Sequence, residues 1–288
     1  MTAATLLERT DLVDTQIHLF EKNSKLWAKV IISWGWRCNV TTGFFKIQEL
    51  LPKYPRWDRF LKPALEQFWP RAIKRWFESH GVPLKQEEDG RIFPVSDDGK
   101  DIVCVFERLF SQWWVYVHCK EWVLDITYDE KKWFRVQTNN QTYDFTTVVL
   151  TTGWNAYAHT GSSGDGYARA RALWHTITPL WPSLNSFLTK EERLHPCSGI
   201  GFTDSLLIQW PIHTRWPLLL THFGISWPTV FAFSSHIPYE PVTRENPYVV
   251  LWKPDATKDT NTWLWIITNY AQKKEIASIF RDHFPKKF

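Results

Sequence analysis

The sequence predicts an α/β chain carrying a β-rich insert. Three observations lead there. Helix-period apolar patterns recur over residues 60–80, 101–112 and 164–173, strand-like runs stand between them, and from about residue 179 to 248 short apolar runs are broken by Pro and Gly. With 288 residues and 44% apolar content the chain can bury a core, which excludes a disordered or collagen-like polymer.

In chain order, residues 2–9 read as the tail of a helix, and TQIHLF, Thr15 to Phe20, as a strand ending at Glu21 and Lys22. The helix over 60–80 closes at Gly81, and 101–112 forms another. Residues 115–119, 123–128, 134–138 and 143–151 read as strands joined by short turns, the last a buried run, DFTTVVLTT. Gly164 to Leu173 is the next helix, and Trp263 to Phe280 again carries a helical pattern.

The formal net charge of +4 is spread along the chain, so neither a nucleic-acid nor a membrane partner is expected. No apolar run approaches the roughly 18 residues of a membrane span, and the first fourteen residues hold acids and an Arg where a signal peptide needs apolar side chains. The expected compartment is the cytoplasm. Cys38, Cys104, Cys119 and Cys197 form no CxxC pair, consistent with reduced thiols rather than a disulfide framework or zinc site.

Nineteen Trp against twelve Gly is abnormal, because Gly at about 7% would supply roughly 20 residues. Five of the Trp precede Pro, namely Trp69, Trp181, Trp210, Trp216 and Trp227, where bulky rings would occupy solvated bends. Trp113, Trp114 and Trp174 stand where helices end, and Trp133 at a hairpin bend. With Trp27, Trp34, Trp36, Trp57, Trp122 and Trp154, fifteen positions read as glycine. Trp76, Trp252, Trp263 and Trp265 read as authentic. Exchanging the fifteen takes Gly from 12 to 27 and Trp from 19 to 4, both near ordinary usage. The expectation is that UGA codons, decoded as glycine in some bacterial lineages, stand behind these tryptophans. The alternative keeps every indole and makes the chain a non-catalytic Trp-rich protein that stacks on glycans or single-stranded nucleic acid.

Two constellations suit a nucleotide. An acid at a strand end, Glu21, is what dinucleotide-binding folds use to accept hydrogen bonds from adenosine ribose hydroxyls, with Lys22 beside it. Twelve residues later comes Ser33-Trp34-Gly35-Trp36-Arg37-Cys38-Asn39. With glycine at 34 and 36 its backbone amides could approach a phosphate or ring, and Arg37 and Asn39 would add charge and hydrogen bonds. The second constellation is Thr152-Gly153-Trp154, a Gly-rich turn after an apolar run, leading to a helix start near Asp165. His159 and His222 are weaker candidates for proton transfer, and Cys38 for redox chemistry. No GxSxG, Walker A, HExxH or zinc pattern occurs.

At these residues the chain resembles the BaiN/RdsA-type, aminoacetone oxidase-like family of bacterial FAD-dependent oxidoreductases. The matching stretches are HLFEKNSKLWAKVIISWGWRCNVTTG, GVPLKQEEDGRIFPVSD, LTTGWNAYAHTGSSGDGYARARALWHTITPLWPSL and RWPLLLTHFGISWPTVFAFSS. The family pattern has Gly at Trp34, Trp36, Trp154, Trp174, Trp181, Trp216 and Trp227 of this chain. The resemblance implies a Rossmann-like FAD-binding domain lacking its first strand over 1–180, a β-rich, barrel-like inserted domain over 181–255, and the start of a helical region over 256–288. It further implies FAD held by Glu21, the 33–39 loop, a backbone contact from Val123 to adenine, and Thr152 to Trp154. The chemistry implied is hydride transfer between flavin and a small organic substrate, with NAD(P)H as donor. No catalytic acid or base follows from it. The chain starts inside the helix that follows the GxGxxG strand of such proteins, so it is expected to be a fragment truncated at both ends, unable as printed to hold FAD tightly.

Overall fold

The computed structural model describes residues 1–9, 15–113, 115–129, 133–237, 242–243 and 245–257. The expected helix over 263–280, and with it nearly all of the expected helical region 256–288, lies outside the described residues. The chain divides into two compact units, Met1–Thr178 and Pro179–Phe288.

In the first unit the elements follow as α1 (Thr2–Leu7), β1 (His18–Glu21), α2 (Ala28–Ile32), β2 (Thr41–Thr42), α3 (Ile47–Leu50), α4 (Asp58–Gln67), α5 (Pro70–Ser79), β3 (Leu84–Gln86), β4 (Arg91–Pro94), α6 (Lys100–Gln112), β5 (Tyr116–Cys119), β6 (Val123–Tyr128), β7 (Phe134–Thr138), β8 (Thr142–Phe145) and α7 (Asp165–Ala172). Helix α6 orders this unit. Its Ile102, Val105, Phe106, Leu109 and Phe110 recur at helical spacing and are buried with Trp76, Phe77 and Ile92. β1 and β5 pair in parallel, His18 opposite Tyr116 and Phe20 opposite His118. β6, β7 and β8 form an antiparallel meander, and β2, β4 and β3 a second small sheet.

Two elements depart from expectation. The helix over 60–80 is two helices, because Pro70 has no N–H to donate and its ring excludes the preceding turn; α5 restarts there with Pro at its first position. The run 143–151 is strand only over Thr142–Phe145. Beyond it Val149 is 55% exposed, because no neighbouring strand among the described residues pairs with 147–151 and a strand forms only against a partner.

The second unit holds β9 (Phe187–Leu188), β10 (Gly201–Gln209), β11 (Ile212–Thr221), β12 (Gly224–Ser226), α8 (Pro228–Ser234) and β13 (Leu251–Lys253). They form one antiparallel sheet in the order β13-β10-β11-β12-β9. Leu207, Leu218, Leu220, Val230 and Phe233 make its core, and the Thr214 and Thr229 hydroxyls are buried against each other at 3.1 Å. No described helix is long and apolar enough to cross a membrane.

Candidate functional site

Glu21 ends β1, and its carboxylate accepts the Asn23 N–H at 2.7 Å, which curls the chain away from the strand. Lys22 is exposed. The Asn23 side-chain amide donates to the Thr160 carbonyl at 3.0 Å. From α2 the Lys29 ammonium donates to the Ala156 carbonyl at 3.0 Å and the Ser162 hydroxyl at 2.6 Å. These bonds bring the end of β1 to the turn after Thr152, two segments that the sequence offers separately. Nothing in the sequence marks Asn23 or Lys29 for this role. A polar residue placed two or eight positions after a strand-end acid carries no signal until its partner is known.

The turn itself needs bare backbone. Gly153, Gly161 and Gly164 are all left-handed, with φ of 81°, 96° and 78°. A Cβ on Gly153 would stand 2.5 Å from the Ser162 hydroxyl oxygen, and one on Gly161 2.8 Å from the Asn23 amide nitrogen. Thr152 packs under the start of α7, where a Cβ on Gly166 would strike its hydroxyl, and the Trp154 side chain is exposed. Gly153→Ala is expected to lower unfolding stability by about 1–2 kcal/mol, the cost of a left-handed residue with a Cβ. A urea titration of the variant against the parent measures it.

The 33–39 loop follows α2 directly. Its ends are tied by the Cys38 N–H to the Ser33 carbonyl, 3.2 Å, and the Gly99 N–H donates to the Trp36 carbonyl at 2.7 Å. Arg37 pairs with Glu87 and Asp97 and lies over the Phe93 ring at 4.0 Å, so both carboxylates hold it as a cation. Asp97 is held below its ordinary value by Lys85 first and Arg37 second. The Asn39 side-chain oxygen accepts from the Ile92 N–H at 3.2 Å. Arg37 and Asn39 therefore anchor the loop to β4 and its flanks. Cys38 is buried, and burial pushes its thiol up, partly offset by Ser33, which keeps it protonated and poorly reactive. All four cysteines are free.

Val123 opens β6, and its carbonyl accepts from Arg169, which also meets Asp165 at 3.0 Å; α7 is thereby fastened to the meander. His159 and His222 are exposed. Each meets a nearby ring, His159 that of Tyr157 and His222 that of Phe223, whereas a hydrogen-bonded histidine cluster forms elsewhere. His18 and His118 lie 3.0 Å apart, His118 is 3.3 Å from Glu121, and Glu121 accepts from Thr138 at 2.7 Å and Tyr143 at 3.0 Å. The sequence signal, histidines alternating with apolar residues in two strands, reads as ordinary sheet until β1 and β5 are paired.

This cluster sets an acid response. Burial raises the Glu121 carboxyl, but hydrogen bonds from Thr138, Tyr143 and Asn140, with His118 beyond them, bring it below its ordinary value; His18 is lowered by burial and then by His118. In both cases the unfolded chain takes up protons first, so stability is complete above about pH 6.5 and falls as pH drops, through His18 and then, below about pH 4.5, through Glu121. Urea midpoints are expected to decline as pH falls from about 6.5 to about 5, with His18→Phe removing that upper stage. Among the described residues no group of three or more potential ligands could hold a metal ion.

Residues 1–260 match the family model described as the HI0933-like protein Rossmann domain. The chain is 26% identical over 242 residues to a 3-dehydro-bile acid delta(4,6)-reductase of Clostridium scindens, covering 82% of this chain and 58% of that protein. It is 25% identical over 275 residues to a ribosomal RNA dihydrouridine synthase of Escherichia coli, covering 94% of this chain and 66% of that protein. The chain thus spans less than two thirds of the length of either relative.

Proposed function

Because the chain belongs to the HI0933-like Rossmann-domain family, we propose that it forms the nucleotide-binding part of an FAD-dependent oxidoreductase. It acts in the cytoplasm on a small organic substrate, with NAD(P)H as electron donor. The observation that carries the reading is that Asn23, whose N–H the Glu21 carboxylate receives, and Lys29 both bond to the glycine turn 153–164 and so bring it to the end of β1. A strand-end carboxylate suits the two ribose hydroxyls of adenosine, and a bare turn entering a helix suits a phosphate or ring edge.

The residues present fit FAD unequally. At 153–164 the backbone must stay open, as the Gly153 and Gly161 contacts require. At 33–39 two exposed indoles, Trp34 and Trp36, stand where a cofactor would approach. Glu21, the 33–39 backbone, Val123 and Thr152 to Trp154 are the residues that would hold it. Bound FAD would supply hydride transfer, which no side chain here can perform. The chain's own part is to orient: Glu21 fixes the adenosine end, Lys29 holds the turn against α2, and Arg37 with its two carboxylates steadies the loop.

Both relatives' names denote adding hydrogen across a ring double bond, which supports such a bond as the substrate feature. The second name also favours another reading, uridine in ribosomal RNA. Protein isolated from the cell that makes it is expected to release stoichiometric FAD on denaturation and to lose its yellow colour with NADH or NADPH. Release of FMN, or of no flavin, refutes the proposal. Assays of a cyclic enone and of dihydrouridine in ribosomal RNA separate the two substrate readings.

A further inference from the structure

We infer that the cell making this protein inserts glycine, not tryptophan, at positions 27, 34, 36, 174 and 227. The 33–39 loop then offers open backbone to its ligand. The identity of the residues rests on backbone geometry alone; the ligand part rests on the flavin reading above.

Ten non-glycine residues among those described have left-handed φ, and five are Trp: Trp27 at 72°, Trp34 at 51°, Trp36 at 74°, Trp174 at 70° and Trp227 at 83°. Chance does not produce this. Non-glycine residues found there are typically Asn, Asp or His, and a bulky side chain is an outlier that needs compensation from packing. Compensation is slight. Trp36 is 62% exposed and Trp174 93%; Trp34 and Trp227 are also exposed, although the Trp34 ring meets the Arg91 guanidinium at 4.7 Å and, edge-on, the Phe93 ring at 6.5 Å between centroids. Trp27 does stack on Phe106, at 4.9 Å between centroids, but its indole N–H is buried without a hydrogen-bond partner.

The described tryptophans that read as authentic behave in the opposite way. Trp76 is 8% exposed and donates to Glu8 at 2.7 Å, and Trp252 is half-buried against Phe202, its N–H 3.4 Å from Ser205. Neither is left-handed. The geometry also limits the inference. Trp113 and Trp69, at φ of −113° and −92°, hold conformations open to any residue. Trp57, Trp122, Trp133, Trp154, Trp181, Trp210 and Trp216 are not left-handed either, and Trp114 lies outside the described residues. At those ten positions glycine is expected from composition and sequence context.

The cluster at 34–36 has the clearest consequence. Trp34, Gly35 and Trp36 are consecutive left-handed residues, Gly35 at 64° with open space where a Cβ would stand. Among the described residues none accepts a hydrogen bond from their three N–H groups. Successive unpaired amides of this kind form a concavity for an anionic oxygen or a ring edge. With hydrogen at 34 and 36 that concavity is open, whereas two indoles rim it.

Peptide mass spectrometry of the protein from its own cells decides the residue identity. Peptides spanning 27, 34, 36, 174 and 227 are expected at glycine mass, from UGA codons; tryptophan mass at 34 or 36 overturns the inference and revives stacking on glycans or single strands. A second measurement compares the full chain as printed with the triple variant Trp34→Gly, Trp36→Gly, Trp174→Gly, which avoids the Trp27 packing. The variant is expected to melt about 3–6 °C higher through relief of left-handed strain, and an equal or lower melting temperature overturns the strain argument. FAD titration of natural protein keeps the two proposals apart. Glycine mass without flavin binding sinks the flavin reading alone, and tryptophan mass with bound flavin sinks this one alone.

Discussion

Glu21→Ala is expected to weaken FAD binding by roughly 100-fold in the protein as its cell makes it, from loss of two charge-assisted hydrogen bonds at about 1.5 kcal/mol each. Flavin fluorescence quenching measures this. The discriminating comparison is FMN, which has no adenosine ribose and whose weaker binding should not change. If FAD and FMN weaken alike, Glu21 acts through the fold, because its carboxylate also receives the Asn23 N–H. Asn23→Ala then supplies the missing arm. It releases the link to Thr160 while leaving the carboxylate in place, and a loss as large as that of Glu21→Ala would transfer the role from ribose recognition to loop support.

Phe106→Ala is expected to cost about 3–5 kcal/mol and lower the melting temperature by about 10 °C. Phe106 is buried at the centre of α6, in ring contact with Trp27, Trp76, Phe77 and Phe110. Removing its ring leaves a cavity whose walls belong to α5 and α6 and to the approach to α2, so they cannot close on it together. Phe60→Ala serves as the control. That ring is 77% exposed, and its loss should stay within about 0.5 kcal/mol. A comparable drop in both variants would mean that α6 does not organise the unit.

The helical period of 101–112 was readable because burial of one face every three or four residues is a local property, and α6 follows it residue by residue. The break inside 60–80 was also written locally, in Pro70, yet apolar spacing alone carried the pattern across it. Residues 146–151 show the opposite limit. Val148, Val149 and Leu150 have strand composition, but a ladder needs a partner, and pairing is decided far away in the chain. For the same reason His18, His118 and Glu121 carry no message individually.

Taken alone, the amino-acid order established the α/β class and the family resemblance; it offered Glu21 and the turn at Gly153 as candidate nucleotide-binding features, and an excess of Trp over Gly as a sign of recoding. These depend on residue type and short spacing. Tertiary structure decided the rest: that Asn23 and Lys29 join the end of β1 to a turn more than a hundred residues later, that Arg37 and Asn39 brace their loop, and which five tryptophans stand on left-handed backbone. Such contacts arise only when chain closure brings distant groups together, and a φ angle is set by the whole surrounding loop rather than by the residue that bears it.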